Sequence, residues 1–152
     1  MKIKLLSDLY QNGTLKPPFY ATEGAAGIDL PACISEPVTL KPMQRMLIPT
    51  GIAAEIPKGY AGMIYARSGL ATKHGITMIN AVGVVDSDYR GEIKCGVVNF
   101  GEEKFTISPG DRIAQMVITP APQVSIEIAE EIDGTKRGAG GFGSTGKNYR
   151  KD

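Results

Sequence analysis

The sequence is poor in the side chains that hold transition metals or act as nucleophiles. Its 152 residues include one histidine, His74, and two cysteines, Cys33 and Cys95. A single histidine excludes a two-histidine metal motif and a histidine-based triad, and the cysteines have no metal-ligand spacing, so we expect no permanent zinc site. We expect two reduced thiols in a reducing compartment, with a disulfide as the alternative. His74 is predicted to lie in a surface loop.

The sequence also lacks long hydrophobic runs and a large net charge. No stretch approaches the roughly 18 apolar residues of a transmembrane helix, and the N-terminus does not resemble a signal peptide. Seventeen basic and sixteen acidic residues give a formal net charge of +1, which argues against broad nucleic-acid binding and a polybasic membrane anchor. We therefore expect a cytoplasmic protein without nucleic-acid or membrane partners, with the nucleus or an organelle as alternative locations.

Helical periodicity is the third missing feature, because no segment keeps it for three turns. Nineteen glycines and ten prolines separate short runs of β-forming residues instead. Many short strands with regular turn signals predict an all-β domain, which could be a sandwich, a barrel or a jelly roll. The predicted strands are Lys2–Leu6, Val38–Leu40, Met46–Ile48, Gly62–Ala66, Glu92–Phe100, Lys104–Ile107, Arg112–Thr119 and Val124–Ile128.

One short helix and one tail complete the predicted organisation. Ser68 is predicted to cap a helix over residues 69–73, which Gly75 ends. From Gly134 onward the composition shifts to glycine, serine, threonine, lysine and arginine, which predicts a flexible arm. We therefore expect one β domain over residues 1–133 and an arm over residues 134–152.

The segment from Asn80 to Glu92 carries the richest chemistry. Apolar residues lead into an acidic turn and another predicted strand opens at Glu92, which is typical of a β-hairpin with a broad tip. The backbone of such a hairpin can read the edge of a base, and Asp86 at its mouth can take a proton from water. The alternative is that Asp86, Ser87 and Asp88 are turn formers whose side chains bond their own backbone.

Two further segments offer ligands for phosphate. Arg67, Ser68 and Gly69 at a helix start can grip an oxyanion, although a capped helix whose arginine pairs with a surface carboxylate is the alternative. Gln115 lies inside an apolar strand, where a buried amide needs either a phosphate or a backbone partner. Magnesium on substrate phosphates needs only a carboxylate or two nearby, and Asp29 is a candidate for its water shell or for a turn.

The C-terminal residues come close to a phosphate-binding P-loop but fail its requirements. Residues 141–147 match G-x-x-x-x-G-K, but Asn148 replaces the required serine or threonine. Four residues follow Asn148, too few for the helix that a P-loop needs. We predict instead a lid that closes over a phosphorylated, ring-bearing ligand bound elsewhere, with Arg137, Phe142 and two hydroxyl groups as its contacts.

Five segments, taken together and in this order, resemble the five motifs of the trimeric dUTPase family. The resemblance runs from about Ala25 to Gly146 with the motif spacing intact. One departure is Ala139, where family members usually carry serine. The five segments are Ala26–Leu30, Arg67–Ala71, Asn80–Glu92, Pro109–Met116 and Arg137–Gly146.

The resemblance implies a jelly-roll-like β-barrel that assembles into a homotrimer with active sites at its subunit interfaces. It implies hydrolysis of dUTP to dUMP and pyrophosphate with Mg²⁺, in which Asp86 orients or deprotonates the water that attacks the α-phosphorus. Asp29 would reach the magnesium ion through its water shell. The implied base- and sugar-binding residues are Asn80, Gly83, Val85, Tyr89 and Phe142, and the implied phosphate-binding residues are Arg67, Ser68, Gly69, Gln115, Arg137, Gly143, Ser144 and Thr145.

The resemblance also implies how other nucleotides would be rejected. A fixed backbone donor at O4 of uracil would face the amino group of cytosine and leave two donors unpaired. A narrow hairpin would leave no room for the methyl group of thymine, and the ring of Tyr89 under the deoxyribose would leave none for a ribose hydroxyl. Such an enzyme keeps uracil out of DNA and supplies dUMP for thymidylate synthesis.

Two other functions compete with this one. A dCTP deaminase-like enzyme resembles the second and third motifs in part, but it needs a glutamate for proton handling where this chain has Asp86. A non-catalytic nucleotide-binding regulator would be expected to lose Asp86 or the arm, and this sequence keeps both.

Overall fold

The chain folds into a mostly-β structure, which a computed structural model describes for residues 1–142 and residue 144. This part of the chain contains two short helices, α1 Asp8–Gln11 and α2 Ser68–His74. Neither is long and apolar enough to cross a bilayer. The strands are β1 Lys2–Leu5, β2 Gly27–Pro31, β3 Val38–Leu40, β4 Arg45–Pro49, β5 Ile52–Glu55, β6 Tyr60–Ala66, β7 Ile76–Met78, β8 Gly83–Val85, β9 Lys94–Asn99, β10 Phe105–Ile107 and β11 Arg112–Pro120.

A four-stranded antiparallel sheet with the order β2-β11-β6-β8 is the largest unit. In β11, Gln115 lies opposite Asp29 of β2 and Tyr65 of β6. The sheet continues into β8, where Gly83 lies opposite Ile64. Because residues directly opposite each other point to the same face of a sheet, this register puts the polar side chains of Asp29 and Gln115 side by side.

Three smaller antiparallel sheets, β4-β9-β7, β1-β5 and β3-β10, complete the fold. The core consists mainly of branched aliphatic side chains, which suit a pleated and half-buried surface. The largest fully buried side chains are Leu30, Leu40, Ile48, Ile52, Ile56, Ile76, Ile93, Ile107, Met116, Val97, Asn99 and Thr50.

The strand predictions are confirmed with one exception, Val124–Ile128. Residues 121–129 have no regular secondary structure, and Val124, Ile126 and Ile128 are 80%, 91% and 98% exposed. Alternating apolar residues signal a strand with one face to bury, but the described chain gives this segment no partner strand. The prediction missed β2, β5 and β7, which are only three to five residues long. The predicted β-hairpin is wrong as a strand pair, because β8 pairs with β6 whereas β9 pairs with β4 and β7 in another sheet. The boundary between domain and arm at residue 133 stays a prediction.

The predicted helix is confirmed, but its start differs from the prediction. Arg67 is the N-cap and makes no side-chain capping bond, so the predicted Ser68 cap is wrong and Ser68 is the first helical residue. Gly75 ends the helix as predicted, with a φ of 69° that a residue with a Cβ rarely adopts. The sequence analysis missed α1, which Ser7 caps by accepting a hydrogen bond from the Leu9 amide at 3.3 Å.

Both cysteines are free thiols. Cys95 is fully buried in the core, and this burial raises its pKa to about 12. Such a thiol stays protonated at physiological pH and packs as a small apolar group.

A buried polar chain fixes the connection between β4 and β5. The Tyr10 hydroxyl donates to the Thr50 carbonyl oxygen at 2.6 Å, and Thr50 Oγ1 donates to the Ile93 carbonyl oxygen at 2.5 Å. Tyr10 is 6% exposed and Thr50 is fully buried, so water cannot readily replace either bond. Burial, followed by the nearby Cys33 and Glu92, raises the pKa of Tyr10 to about 12.

We predict that Tyr10→Phe lowers the free energy of unfolding by about 1–2 kcal/mol at neutral pH, because the buried Thr50 carbonyl loses its donor. The folded-state pKa of Tyr10 lies above its ordinary value of 10.0. The stability that this raised pKa represents is therefore complete below about pH 10 and is lost as the pH rises through about 12. Urea unfolding at several pH values across this window should show that the free energy of unfolding falls more steeply with pH for the wild type than for Tyr10→Phe. Equal pH slopes would contradict the prediction.

Candidate active site

Asp29 binds two arginines and holds both in place. Its Oδ1 lies 3.0 Å from Nε of Arg67, and its Oδ2 lies 2.9 Å from Nη1 of Arg112. Nη1 of Arg67 also donates to the Arg112 carbonyl oxygen at 3.2 Å, which closes a ring of contacts. The pairing of Arg67 with a carboxylate, an alternative in the sequence analysis, is therefore present. It does not use up the guanidinium, because arginine has five N–H donors.

Arg67 and Gln115 open onto one cavity of about 340 Å³. Nε2 of Gln115 donates to the Ala66 carbonyl oxygen at 3.1 Å, so the predicted backbone partner of this amide is present. This bond uses the amide nitrogen and not the oxygen, Oε1. Two cationic side chains, Arg67 and Lys73, outnumber the single carboxylate of Asp29, so the cavity suits an anion. Its lining residues are Asp29, Arg67, Ser68, Gly69, Leu70, Lys73, His74 and Gln115.

The sequence analysis missed Lys73 and His74 as members of this cavity. His74 is the last residue of α2, so its predicted place in a surface loop is wrong. Its side chain is exposed, and its ring centroid lies 4.9 Å from that of Phe105. Gly69 and Lys73 both lie in the predicted helix, one turn apart and on the same face, so their spacing is the signal that could have identified Lys73.

The segment predicted as a hairpin begins with a strained turn, and the name hairpin tip is kept for the turn that follows β8. Ala81 has a φ of 61°, and the Val82 amide donates to the Asn80 carbonyl oxygen at 2.7 Å. This bond between residues i+2 and i makes a γ-turn of the rare positive-φ kind. Such strain persists only where the surrounding structure determines it and is common at functional sites. The turn places Asn80 directly before β8.

A second cavity of about 450 Å³ lies along β8 and the hairpin tip. Within the described residues β8 pairs with β6 alone and is the edge of its sheet. The other edge of its backbone therefore keeps unpaired donors and acceptors. The lining residues are Leu47, Ile64, Asn80, Gly83, Val84, Val85, Asp86, Tyr89, Glu92, Ile93 and Lys94.

The Asp86 side chain is exposed at the rim of this second cavity. The hydrogen bonds that hold the hairpin tip use other atoms: the Asp86 carbonyl oxygen accepts from the Tyr89 amide at 3.2 Å, and Nη1 of Arg90 donates to the Ser87 carbonyl oxygen at 2.7 Å. Among residues 1–142, no ion pair or side-chain hydrogen bond engages the Asp86 carboxylate. A turn-forming role therefore does not account for this side chain.

The described part of the arm makes local contacts. Nε of Arg137 donates to a carbonyl oxygen three residues further on at 2.7 Å, and Phe142 is fully exposed with a φ of 50°. Neither cavity is lined by Arg137, Phe142 or Ser144. The structure thus does not bring these predicted lid residues to the rest of the site. The predicted phosphate ligands Gly143 and Thr145 lie outside the described residues.

The two cavities have no lining residue in common. The predicted phosphate ligands Arg67, Ser68, Gly69 and Gln115 line the first, which we call the arginine cavity. The predicted base and sugar ligands Asn80, Gly83, Val85 and Tyr89 line the second together with Asp86, and we call it the hairpin cavity. One chain thus presents two half-sites of different chemistry.

The residues of the arginine cavity do not fit a magnesium ion held by the protein itself. The described residues contain no group of three or more histidine, cysteine, aspartate or glutamate side chains that could hold a metal. Both oxygens of Asp29 are already bonded to arginines, whose charges repel a bare cation. Magnesium would fit only as an ion carried by the oxygens of an anionic ligand.

Several solved dUTPase structures share this fold. A Staphylococcus bacteriophage 80alpha dUTPase determined with dUPNHPP matches 96% of this chain and 98% of its own with a TM-score of 0.84 and 27% identity. A dUTPase from phage phi11 of S. aureus, described with a structural Mg(II) ion, matches 86% of this chain and 96% of its own with a TM-score of 0.73 and 25% identity. The predicted jelly-roll-like β fold is thereby confirmed.

Sequence relatives point the same way. A protein of Hahella chejuensis named deoxyuridine 5'-triphosphate nucleotidohydrolase is 57% identical over 130 residues, which cover 85% of this chain and 86% of the relative. A protein of Treponema denticola with the same name is 57% identical over 129 residues, or 85% of this chain and 90% of the relative. The family model for dUTPase matches residues 14–146. This chain belongs to the dUTPase family.

Proposed function

We propose that this chain hydrolyses dUTP to dUMP and pyrophosphate, with the Asp86 carboxylate taking the proton from the water that attacks the α-phosphorus. The observation that carries the proposal is the exposed carboxylate of Asp86 at the rim of the hairpin cavity, which no side chain among residues 1–142 engages. A carboxylate that no cation or donor holds is available to orient a water and accept its proton. Membership of the dUTPase family supplies the substrate.

The free edge of β8 would read the base. Gly83 and Val85 offer backbone donors and acceptors there, and Asn80 offers an amide at the entrance. Uracil has an acceptor at O4 where cytosine has an amino donor, so a backbone N–H at this point would pair with uracil and leave cytosine unpaired. A site of this kind discriminates by about 10⁴-fold or more. Phe142 of the arm would stack over the ring, and Tyr89 would pack against the deoxyribose.

The phosphates would be held by the arginine cavity of another copy of the chain. The two cavities have no lining residue in common, and in this proposal the base half-site of one copy meets the phosphate half-site of the next. Leu47 and Val84 support this reading, because they are 61% and 59% exposed and line the hairpin cavity. Apolar side chains at such a position are typical of an interface. We propose a homotrimer, the closed assembly that the family resemblance implies.

Catalysis would depend on position and charge rather than on a covalent intermediate. Hydrolysis of a phosphoanhydride needs an aligned water and neutralisation of the phosphate oxygens. Arg67, held by Asp29, and the side chain of Gln115 would provide this together with the Ser68 hydroxyl and the Gly69 amide. The arm would add contacts to the terminal phosphate from Arg137, Gly143, Ser144 and Thr145.

Magnesium would enter this site bound to the triphosphate, whose charge it would neutralise. The described residues provide no cage for it. Contact between Asp29 and the water shell of such an ion stays a prediction, and the two arginine bonds give Asp29 a separate task, which is to hold Arg67. We propose the cytoplasm as the location of the enzyme.

A dCTP deaminase-like activity and a purely regulatory role are less well supported. The relatives of this chain carry the name of a nucleotidohydrolase, and the chain has Asp86 at the position where a deaminase needs glutamate. The glutamate that lines the hairpin cavity, Glu92, is engaged by the Gly51 amide and Lys94. A regulator would not need an unpaired carboxylate beside a nucleotide-sized cavity.

We predict that Asp86→Asn lowers kcat for dUTP by about 100- to 10,000-fold, the usual contribution of a general base, while binding of dUpNHpp changes little. Pyrophosphate release measures the first quantity and calorimetry the second. Asp88→Asn is the matched control, because it makes the same chemical change two residues away at a side chain that does not line the cavity. Near-normal turnover by Asp86→Asn, or equal losses in both variants, would remove Asp86 from the mechanism.

We predict that a chain truncated after Thr135 keeps its fold and assembly but loses about 100-fold or more in kcat/KM for dUTP, because each lost charge-assisted bond to phosphate contributes roughly 1.5–3 kcal/mol. Circular dichroism and light scattering report the fold and assembly. A chain truncated after Gly146, where the family match ends, is the control and should remain active. An unfolded Thr135 truncation would show that the arm is structural, and a fully active one would show that it is no lid.

A further inference from the structure

The ring of Tyr89 lies directly on Gly91. A Cβ atom at position 91 would lie 2.4 Å from the Tyr89 hydroxyl oxygen, 2.6 Å from Cζ and 3.0 Å from Cε2, and real Cβ atoms essentially never come this close to another atom. The φ of Gly91 is not in the left-handed region, so its backbone would accept an alanine. An alanine at this position would therefore displace the ring of Tyr89.

The hydroxyl group of Tyr89 is hydrogen-bonded to the backbone of Glu92, the residue that follows Gly91. It donates to the Glu92 carbonyl oxygen at 3.0 Å. The Glu92 side chain is itself anchored, since its Oε1 accepts a hydrogen bond from the Gly51 amide at 2.9 Å. Its Oε2 lies 3.5 Å from Nζ of Lys94, a partly exposed pair that contributes little. The hydrogen bond from the Gly51 amide is therefore the main interaction that fixes the Glu92 side chain.

Glu92 leads directly into the core. The Ile93 amide donates to the Ile52 carbonyl oxygen at 2.8 Å, and the Ile93 carbonyl accepts from the buried Thr50 hydroxyl. Ile93 and Ile52 are 2% and 0% exposed. The exposed ring of Tyr89 is therefore hydrogen-bonded to a residue, Glu92, whose neighbour Ile93 is fixed in the buried core. The hairpin tip around the ring is itself exposed to solvent.

We propose that Gly91 and Glu92 are positioning residues that hold the Tyr89 ring where it excludes a 2′-hydroxyl group, and so set the selectivity for deoxyribose over ribose. This inference rests on the proposed function, in which Tyr89 packs against the sugar. A Cβ atom at position 91 would lie 2.4 Å from the Tyr89 hydroxyl oxygen, whereas an ordinary van der Waals contact is 3.4 Å or longer. An alanine at position 91 therefore moves the end of the ring by about 1 Å. A shift of that size is comparable to the space that one hydroxyl group needs.

The test compares kcat/KM for dUTP and for UTP in Gly91→Ala with the same ratio in the wild type. We expect the ratio to fall by about tenfold or more, within the range that one atom-sized contact provides. Gly24→Ala is the matched control, because a Cβ there meets nothing within 4 Å, and its ratio should stay at the wild-type value. An unchanged ratio in a folded Gly91→Ala protein overturns the proposal.

A pair of variants at Glu92 tests the same support without depending on the folding of Gly91→Ala. Glu92→Gln keeps the Oε1 acceptor for the Gly51 amide and should keep the selectivity, whereas Glu92→Ala removes the anchor and should lower it. Equal ratios in the two variants contradict a positioning role. If the wild-type enzyme does not hydrolyse dUTP, the proposed function fails; if it does so selectively while every variant keeps the ratio, only this inference fails.

Discussion

The register of β11 against its neighbours is the constraint on which the site depends. Gln115 meets Asp29 on one side and Tyr65 on the other, and the next residue, Met116, points into the core with no exposed surface. A slip of one residue would bury the amide and expose the methionine, because side chains alternate between faces. The burial of Met116 therefore decides that Asp29 and Gln115 share a face, where Asp29 can reach Arg67 and Arg112.

The strand β6 connects the two half-sites within one chain. Its pairing with β8 sets Gly83 opposite Ile64 and so places the hairpin cavity. Three residues further on, the same strand has given way to Arg67 and the arginine cavity. Arg67 directly follows β6 and Asp86 directly follows β8, the strand paired with β6, yet the two side chains line different cavities. In the proposed assembly, the base half-site of one copy and the phosphate half-site of another form one active site.

Local patterns predicted much of this fold, whereas contacts between distant segments could not be read from the sequence. Runs of β-branched residues located most strands. Gly75 marked the end of α2, because a helix end of this kind depends only on the left-handed backbone conformation that glycine adopts easily. The strand prediction for Val124–Ile128 failed because it depended on a distant segment. Alternating apolar residues indicate a strand with one face to bury, but they do not show whether a partner strand is present.

The same division applies to the site. Residue type and spacing predicted Asp86, Arg67 and Gln115 as site residues, and these roles stay predictions. The bonds that join Asp29 to both arginines, and the support of Tyr89 by Gly91 and Glu92, depend on strand register and ring placement, which no local pattern reports. His74 was predicted in a loop because the predicted helix stopped at residue 73, whereas α2 ends at His74, directly before Gly75.

The central claim, that each site takes its acid from one copy and its arginine from another, is tested most directly by subunit complementation. Asp86→Asn and Arg67→Ala chains should each be nearly inactive alone. Refolded together in equal amounts, they should recover about a quarter of the wild-type rate, because random mixing into closed assemblies leaves that share of sites with both residues intact. A mixture no more active than its two components would contradict the claim and place both residues in the site of a single chain.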